Sequence, residues 1–395
     1  MLSLPVLDPH RTVSPHRRHH RFARGLRRAS TLATWLHDAG YWTGLVGRYF
    51  NHYPLNRGPY VPPGWDRWAA DAGGAVDYYT YTLDECPRPD APAGSPSCAG
   101  GPATAVDYGS AQSDYHTTVM RRKELQFLDE APADRPFLLY LAPLAPHGAR
   151  IPAPGDKGAY SSLPPLHSPA FAEQDVSDKP AWIRNITPLS AARQATYDSR
   201  REREYETMLG ADRMVDDVLA KLAAKGELDH TVILYMTDNG FSYGEHRWFG
   251  KRCAYDECVR TPFLVRYPGA TPHVDDHLVS NVDVAPTFAE LAGITPPLAE
   301  DGTSIAPLLN GLDPPWRDSV LLELPGAQKP MPKWWAVRTE EYLYVELVTG
   351  ERELYDLTGA NGPADPYELQ NRAGEPSYAV VQEQLALRLS ALKGG

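Results

Sequence analysis

Residues 231–269, TVILYMTDNGFSYGEHRWFGKRCAYDECVRTPFLVRYPG, hold the densest set of side chains that can do chemistry. The β-branched and aromatic run from Thr231 to Thr237 predicts one buried strand, and it breaks at the turn signal Asp238-Asn239-Gly240. A strand that stops there presents two hard oxygen donors, the Asp238 carboxylate and the Asn239 amide, where the sheet ends. In open α/β sheets that carboxyl edge is where ligands bind. The loop that follows carries the cations His246, Arg247, Lys251 and Arg252 before a second apolar run, Pro262 to Val265. Donors for a hard cation such as calcium and charges for an anion thus share one strand, loop, strand unit. His147 follows the apolar run Phe137 to Ala142, where it can act as a general acid or an anion ligand. Arg48 closes the run Tyr41 to Val46 and, with Lys251, can hold an anionic substrate group.

Each of these residues taken singly has a plainer reading. A lone Asp-Asn-Gly is more often only a turn, a histidine after a strand more often a surface or capping residue, and a single Lys or Arg more often a solvated charge. The collective argument is positional. Every one of them closes a strand that the sequence predicts as parallel, which brings Arg48, His147, Asp238, Asn239 and Lys251 to one edge of one sheet.

The elements that must position them read as follows. A helix from Thr31 to Ala39, capped by Ser30 and stopped by Gly40, leads into the Tyr41 strand. Residues 60–107 read as loop-rich, with Trp65, Trp68 and Tyr78-Tyr79-Thr80-Tyr81 either packing an irregular subdomain or offering sugar-stacking faces. A helix from about Asp114 to Asp129 precedes the Phe137 strand, a Pro- and Ser-rich excursion fills residues 150–190, and a long helix runs from about Arg193 to Lys225. Leu278 to Val284 reads as a strand and Ala285 to Ala292 as a helix. Toward the C-terminus Trp334 to Arg338, Tyr342 to Leu347 and Glu353 to Leu357 alternate as short strands, and a helix follows from about Ser377. The fold class expected is α/β, a mostly parallel sheet flanked by helices, with a small C-terminal antiparallel sheet plus helix. The organisation expected is an atypical basic segment over 1–30, an α/β domain over 31–315 and a subdomain over 316–395.

Composition bounds the partners. A chain of 395 residues with 42% hydrophobic and 23% charged residues is ordinary for a globular protein, so disorder is not the default. With 39 basic and 50 acidic residues the net charge of -11 argues against general nucleic-acid binding while leaving room for a local basic pocket. No apolar run is long enough to span a bilayer, and the N-terminal order of apolar stretch first and basic tract second is the reverse of a secretory signal, so the chain carries no address. The cysteines fall into two local pairs, Cys86 with Cys98 and Cys253 with Cys258, each compatible with a small disulfide loop in an oxidising compartment.

With these residues in place the pattern resembles the sulfatases, of the alkaline phosphatase-like superfamily. TLATWLHDAGYWTGLVGRYFNHYP looks like the family's helix, strand and Gly-Lys segment, YVPPGWDRW its next landmark and LYLAPLAPHGARIP its histidine motif. LYMTDNGFSYGEHRWFGKRCAYDECVRTPFLVRYPG resembles its metal and sulfate-lysine segment, and RELYDLTGANGPADPYELQN its C-terminal subdomain. The Gly-Arg-Tyr-Phe-Asn form is most similar to the branch of N-acetylglucosamine-6-sulfatases and bacterial arylsulfatases. The resemblance implies Asp238 and Asn239 as calcium ligands, Lys251 as a sulfate ligand and His147 as a contact to sulfate and leaving oxygen. Arg48 stands where the family usually has lysine, with the same charge on a differently shaped donor. It also implies family chemistry on aryl or sugar sulfates, in which a Cys or Ser of Cys/Ser-x-Pro-x-Arg becomes formylglycine and its hydrate attacks sulfur.

Here the sequence departs from the family. No cysteine precedes Cys86, and the nearest echo, Val13-Ser14-Pro15-His16-Arg17, has valine at the nucleophile position. The strand with paired aspartates that supplies the other metal ligands is missing as well. The expectation is therefore an N-terminally truncated, sulfatase-like chain without formylglycine, with about half a calcium site, inactive as written. Two alternatives stand beside it: a non-catalytic binder of sulfated or phosphorylated carbohydrate, and a phosphodiesterase or phosphonate hydrolase of the same superfamily. Oligomeric state and location stay open.

Overall fold

Burial on both faces marks a strand with neighbours on each side in the main sheet. In the computed structural model, which describes residues 30–54, 58–73, 77–88 and 94–394, helix α1 (Leu32–Asp38) leads into strand β1 (Trp42–Gly47), every residue of which is buried. Such a strand is what a parallel sheet covered on both sides requires. Thr31, not Ser30, caps α1: the Thr34 amide donates to Thr31 Oγ1 at 3.2 Å and the Thr31 amide to Thr34 Oγ1 at 2.9 Å, a reciprocal box made by two threonines. Strands β2 (Arg67–Asp71), β3 (Tyr81–Cys86) and β4 (Thr104–Tyr108) come next, then helix α2 (His116–Glu130) and strand β5 (Phe137–Ala142). The sheet order is β4-β3-β2-β1-β5, with β1 parallel to both β2 and β5 and the β3 and β4 edge antiparallel.

Residues 60–107 are thus not loop-rich throughout; they contribute three strands to the main sheet. Their composition hides them. β2 reads Arg-Trp-Ala-Ala-Asp, and its charges are buried only because each has a partner: Arg67 donates to the carbonyls of Ser95 and Pro96, and His116 Nε2 lies 2.8 Å from Asp71 Oδ1. Trp65, Trp68, Tyr78 and Tyr81 all lie in buried clusters, so these aromatics pack the protein's interior.

Helix α3 (Ala191–Lys225) is followed by β6 (Ile233–Met236), the short β7 (Ser242–Tyr243) and β8 (Phe249–Gly250), helix α4 (Asp256–Val259) and β9 (Phe263–Arg266). β6 pairs with β9, antiparallel, in a two-stranded sheet of its own. The run Leu278 to Val284 is not a strand; it holds a 3-10 turn over Asn281–Asp283 that feeds helix α5 (Val284–Leu291). The C-terminal sheet is four-stranded and antiparallel, β10 (Val320–Leu324), β11 (Trp334–Arg338), β12 (Tyr342–Leu347) and β13 (Arg352–Asp356), with helix α6 (Ala379–Leu392) after it. Val337, Tyr344 and Leu354 of that sheet and Leu385 and Leu389 of α6 make one buried cluster. No helix among the described residues is long and apolar enough to cross a membrane.

The chain forms two compact units built from discontinuous segments, one of residues 1–163, 202–231 and 281–306, the other of 164–201, 232–280 and 307–395. The reading of residues 1–30 as a basic segment lies, except for Ser30, outside the described residues.

Both cysteine pairs are bonded, Cys86 to Cys98 and Cys253 to Cys258. The first closes a span of 12 residues across a Pro- and Ser-rich loop. Loop closure of that length restrains the unfolded chain by about 3 kcal/mol. Replacing both Cys86 and Cys98 with serine is expected to lower stability by roughly that amount. Urea unfolding of the variant against the parent checks this, and an unchanged midpoint would contradict it.

Candidate functional site

Arg48 and His147 follow neighbouring parallel strands of the first unit. Register pairs Gly47 with Ala142, so Arg48 and the segment Pro143 to His147 leave the sheet at the same edge, as the sequence predicts. Gly47 is obligatory there: its φ is +108°, and a Cβ would lie 2.1 Å from the Ala142 carbonyl oxygen. The Arg48 amide donates to that same carbonyl at 2.7 Å, and its guanidinium Nη2 donates to Asn51 Oδ1 at 2.8 Å. The histidine loop is held from beneath. His147 N donates to the Leu144 carbonyl at 2.7 Å, the buried Tyr78 hydroxyl donates to the His147 carbonyl at 2.9 Å, and the Tyr115 hydroxyl donates to Ile151 O at 2.9 Å. Burial, before any neighbouring charge, pushes both phenols well above the usual tyrosine range, which keeps them protonated as donors. The His147 side chain is exposed on this braced loop.

Asp238, Asn239 and Lys251 belong to the second unit, after β6. The shared parallel-sheet edge expected for all five residues is therefore corrected: β6 has β9 as its antiparallel partner and lies outside the sheet of β1 and β5. The sequence cannot distinguish a buried parallel strand from a short antiparallel one when both are four apolar residues long. Within the second unit the trio does come together. Gly240 N donates to Cys258 O at 2.9 Å, which fixes the turn against α4. Lys251 Nζ donates to Asn239 Oδ1 at 3.3 Å, and Asn239 Nδ2 donates to Gly240 O at 2.9 Å. The lysine loop is pinned by two indoles, Trp248 to the Lys251 carbonyl at 3.3 Å and Trp334 to the Arg252 carbonyl at 2.9 Å, and by the Cys253–Cys258 disulfide.

The other cations of this loop have different work. Arg247 is buried, with Nε donating to Glu173 O at 2.7 Å, and Arg252 donates to Gln328 Oε1 at 2.8 Å. His246 is wholly buried against the Glu173 carboxylate. These are structural contacts, so only Lys251 of the four remains as an anion candidate in this loop.

Asp238 and Asn239 supply the donor type calcium prefers, yet not the number. Calcium takes about 6–8 oxygens. Here the amide oxygen of Asn239 already accepts from an ammonium, and among the described residues Asp238 belongs to no group of three His, Cys, Asp or Glu side chains. The pair as it stands does not fit a full calcium site.

Two family models match the sequence. The model described as Sulfatase covers residues 9–294, and one described as N-sulphoglucosamine sulphohydrolase, C-terminal, covers residues 244–394. The chain belongs to the sulfatase family. Human N-acetylglucosamine-6-sulfatase is 32% identical over 296 residues, which is 73% of this chain and 50% of that protein. The chain spans between 26% and 62% of the length of four other curated sulfatase relatives, less than two thirds of each. Among solved structures, one described as bound to its substrate D-glucosamine-2-N,6-O-disulfate superposes with a TM-score of 0.73 at 24% identity, covering 92% of this chain and 81% of that one. The phosphonate monoester hydrolase of Agrobacterium radiobacter superposes at 0.66 and 21% identity, covering 93% and 80%. At these identities the superpositions establish the fold, the α/β architecture of the alkaline phosphatase-like proteins.

Proposed function

We propose that this sulfatase-family chain recognises sulfate esters of sugars, with Lys251 as the candidate sulfate contact of the second unit and Arg48 and His147 as those of the first. The observation that carries this reading is the family match over residues 9–294, which contains all three residues. Lys251 within 3.3 Å of the Asn239 side chain supports it, because a cation is held beside the polar turn to which the sequence resemblance assigns metal ligands. The sugar class is supported by relatives named for N-acetylglucosamine 6-sulfate and by a neighbour bound to a sulfated glucosamine.

Turnover is a separate matter. The 395-residue sequence contains no Cys or Ser in the x-Pro-x-Arg context that yields formylglycine. The chain as written is therefore expected to bind a sulfated sugar without cleaving it. Calcium at Asp238 and Asn239 is expected to be weak, with little effect on that binding, unless further oxygen ligands join the pair.

Calorimetric titration of the purified chain with a glucosamine 6-sulfate, alongside a sulfate-release assay with and without calcium, tests both parts. Binding that weakens at least ~10-fold in Lys251→Ala supports recognition, since a charge-assisted contact is worth about 1.5–3 kcal/mol. Robust sulfate release overturns the non-hydrolytic part. Hydrolysis of an aryl phosphonate ester, read as release of the phenol, with no affinity for the sulfated sugar, overturns the substrate class.

A further inference from the structure

A second cluster in the same unit as Lys251 has no part in the reading above. His246 is 0% exposed, and its Nδ1 lies 2.7 Å from Glu173 Oε2. With Nδ1–H donated to that carboxylate, the free lone pair of the ring is at Nε2. That atom has no hydrogen-bond partner among the described residues, and neither has Glu257 Oε2, which lies 4.0 Å away. The gap is too long for a hydrogen bond. Glu368, 1% exposed, brings a third donor: one ligand atom from each of His246, Glu257 and Glu368 lies within 4.8 Å of the other two. Glu368 is itself oriented by the Asp256 amide, which donates to Oε2 at 3.0 Å.

We propose that His246, Glu257 and Glu368 form a site for a first-row divalent cation, with zinc as the best match, and that Glu173 orients the histidine for it. One imidazole and two carboxylates are a zinc donor set rather than a calcium one. A histidine whose second nitrogen is held by a carboxylate is the usual outer-shell arrangement of such sites. Zinc bonds of about 2.0–2.2 Å put ligand atoms about 3.3 Å apart in a tetrahedron, so the widest pair closes by roughly 1.5 Å when the ion enters. Glu257, whose side chain keeps 22% of its exposure, is the side from which it enters. The ion would cross-link the lysine loop, helix α4 and the segment carrying Glu368, and buried ligands give it a structural role.

The site does not depend on the sulfate-ester reading, and its test reads metal rather than activity. The untagged full chain is stripped with chelator, exchanged against zinc and passed through gel filtration, and its metal content is measured. One tight equivalent is expected, weakened at least ~100-fold in Glu257→Gln and in His246→Gln, since loss of even an outer partner typically costs about 10–100-fold. Glu173→Gln is expected to fall within that outer-partner range. The variant with His10, His16, His19 and His20 changed to alanine removes the histidine-rich tract and is expected to keep the tight equivalent. X-ray absorption of the zinc-loaded parent, which needs no variant to fold, should show one imidazole and two carboxylates. A parent that retains no zinc, retention unchanged in Glu257→Gln, loss of the tight equivalent in the four-histidine variant, or a multi-imidazole shell would each overturn the proposal.

Discussion

Gly240→Ala should lower stability by about 3 kcal/mol and weaken sulfated-sugar binding by at least ~10-fold. The Gly240 amide donates to Cys258 O at 2.9 Å, and a Cβ on Gly240 would sit 2.1 Å from the Glu257 carbonyl oxygen. That oxygen belongs to the backbone of α4 beside the Cys253–Cys258 disulfide, so it cannot swing aside as a side-chain tip would. The turn must move instead. Asn239 moves with it, and the 3.3 Å contact to Lys251 Nζ is lost. Displacing a binding group by about 1 Å is enough to cost one to two orders of magnitude in function. Gly58→Ala is the control, because nothing lies within 4 Å of a Cβ there and its effect should stay within about 0.5 kcal/mol. Urea midpoints and the calorimetric titration of both variants check the two halves of the expectation. If Gly240→Ala behaves like Gly58→Ala, the turn is not clamped and Asn239 is not positioned by α4.

What the sequence makes legible in this protein follows from how local the controlling physics is. β5 and the strands Trp334–Arg338 and Tyr342–Leu347 come out at their observed bounds because apolar runs or alternation are bracketed by turn residues. The positions of Arg48 and His147 after neighbouring strands are legible for the same reason. β2 is not, because Arg67 and Asp71 are interior only by virtue of partners far along the chain, Ser95, Pro96 and His116. The partner of β6 is likewise decided by pairing, not by its own residues. The grouping of His246, Glu257 and Glu368 is the extreme case: more than a hundred residues separate Glu257 from Glu368, and no spacing rule for metal ligands joins them. The resemblance in sequence singles out the lysine and the histidine as candidates; it says nothing of a cluster assembled by tertiary folding alone.

Glu124→Gln should abolish a fall in stability that the parent shows as pH rises. Glu124, on α2, is fully buried, and neither carboxylate oxygen finds a hydrogen-bond partner among the described residues. Burial, with a smaller contribution from the Asp217 charge, pushes its carboxyl up to about 9 from an ordinary 4.5; Arg121 opposes this weakly because its guanidinium is already engaged by Asp217. The folded chain therefore holds a proton that the unfolded chain has released. The sign follows: this proton's contribution is fully present below about pH 4.5, declines as pH rises, and is gone at about pH 9. The slope is at most about 1.4 kcal/mol per pH unit, or up to ~3 kcal/mol between about pH 6 and pH 8.5. Glutamine has nearly the same shape and no charge to lose, so the variant should match the parent only near pH 4.5 and below, and exceed its stability by a margin that widens from about pH 6 to pH 8.5. Urea midpoints measured across that range for both proteins decide the matter. Parallel curves would mean that Glu124 is solvated or paired by a group that neutralises its charge.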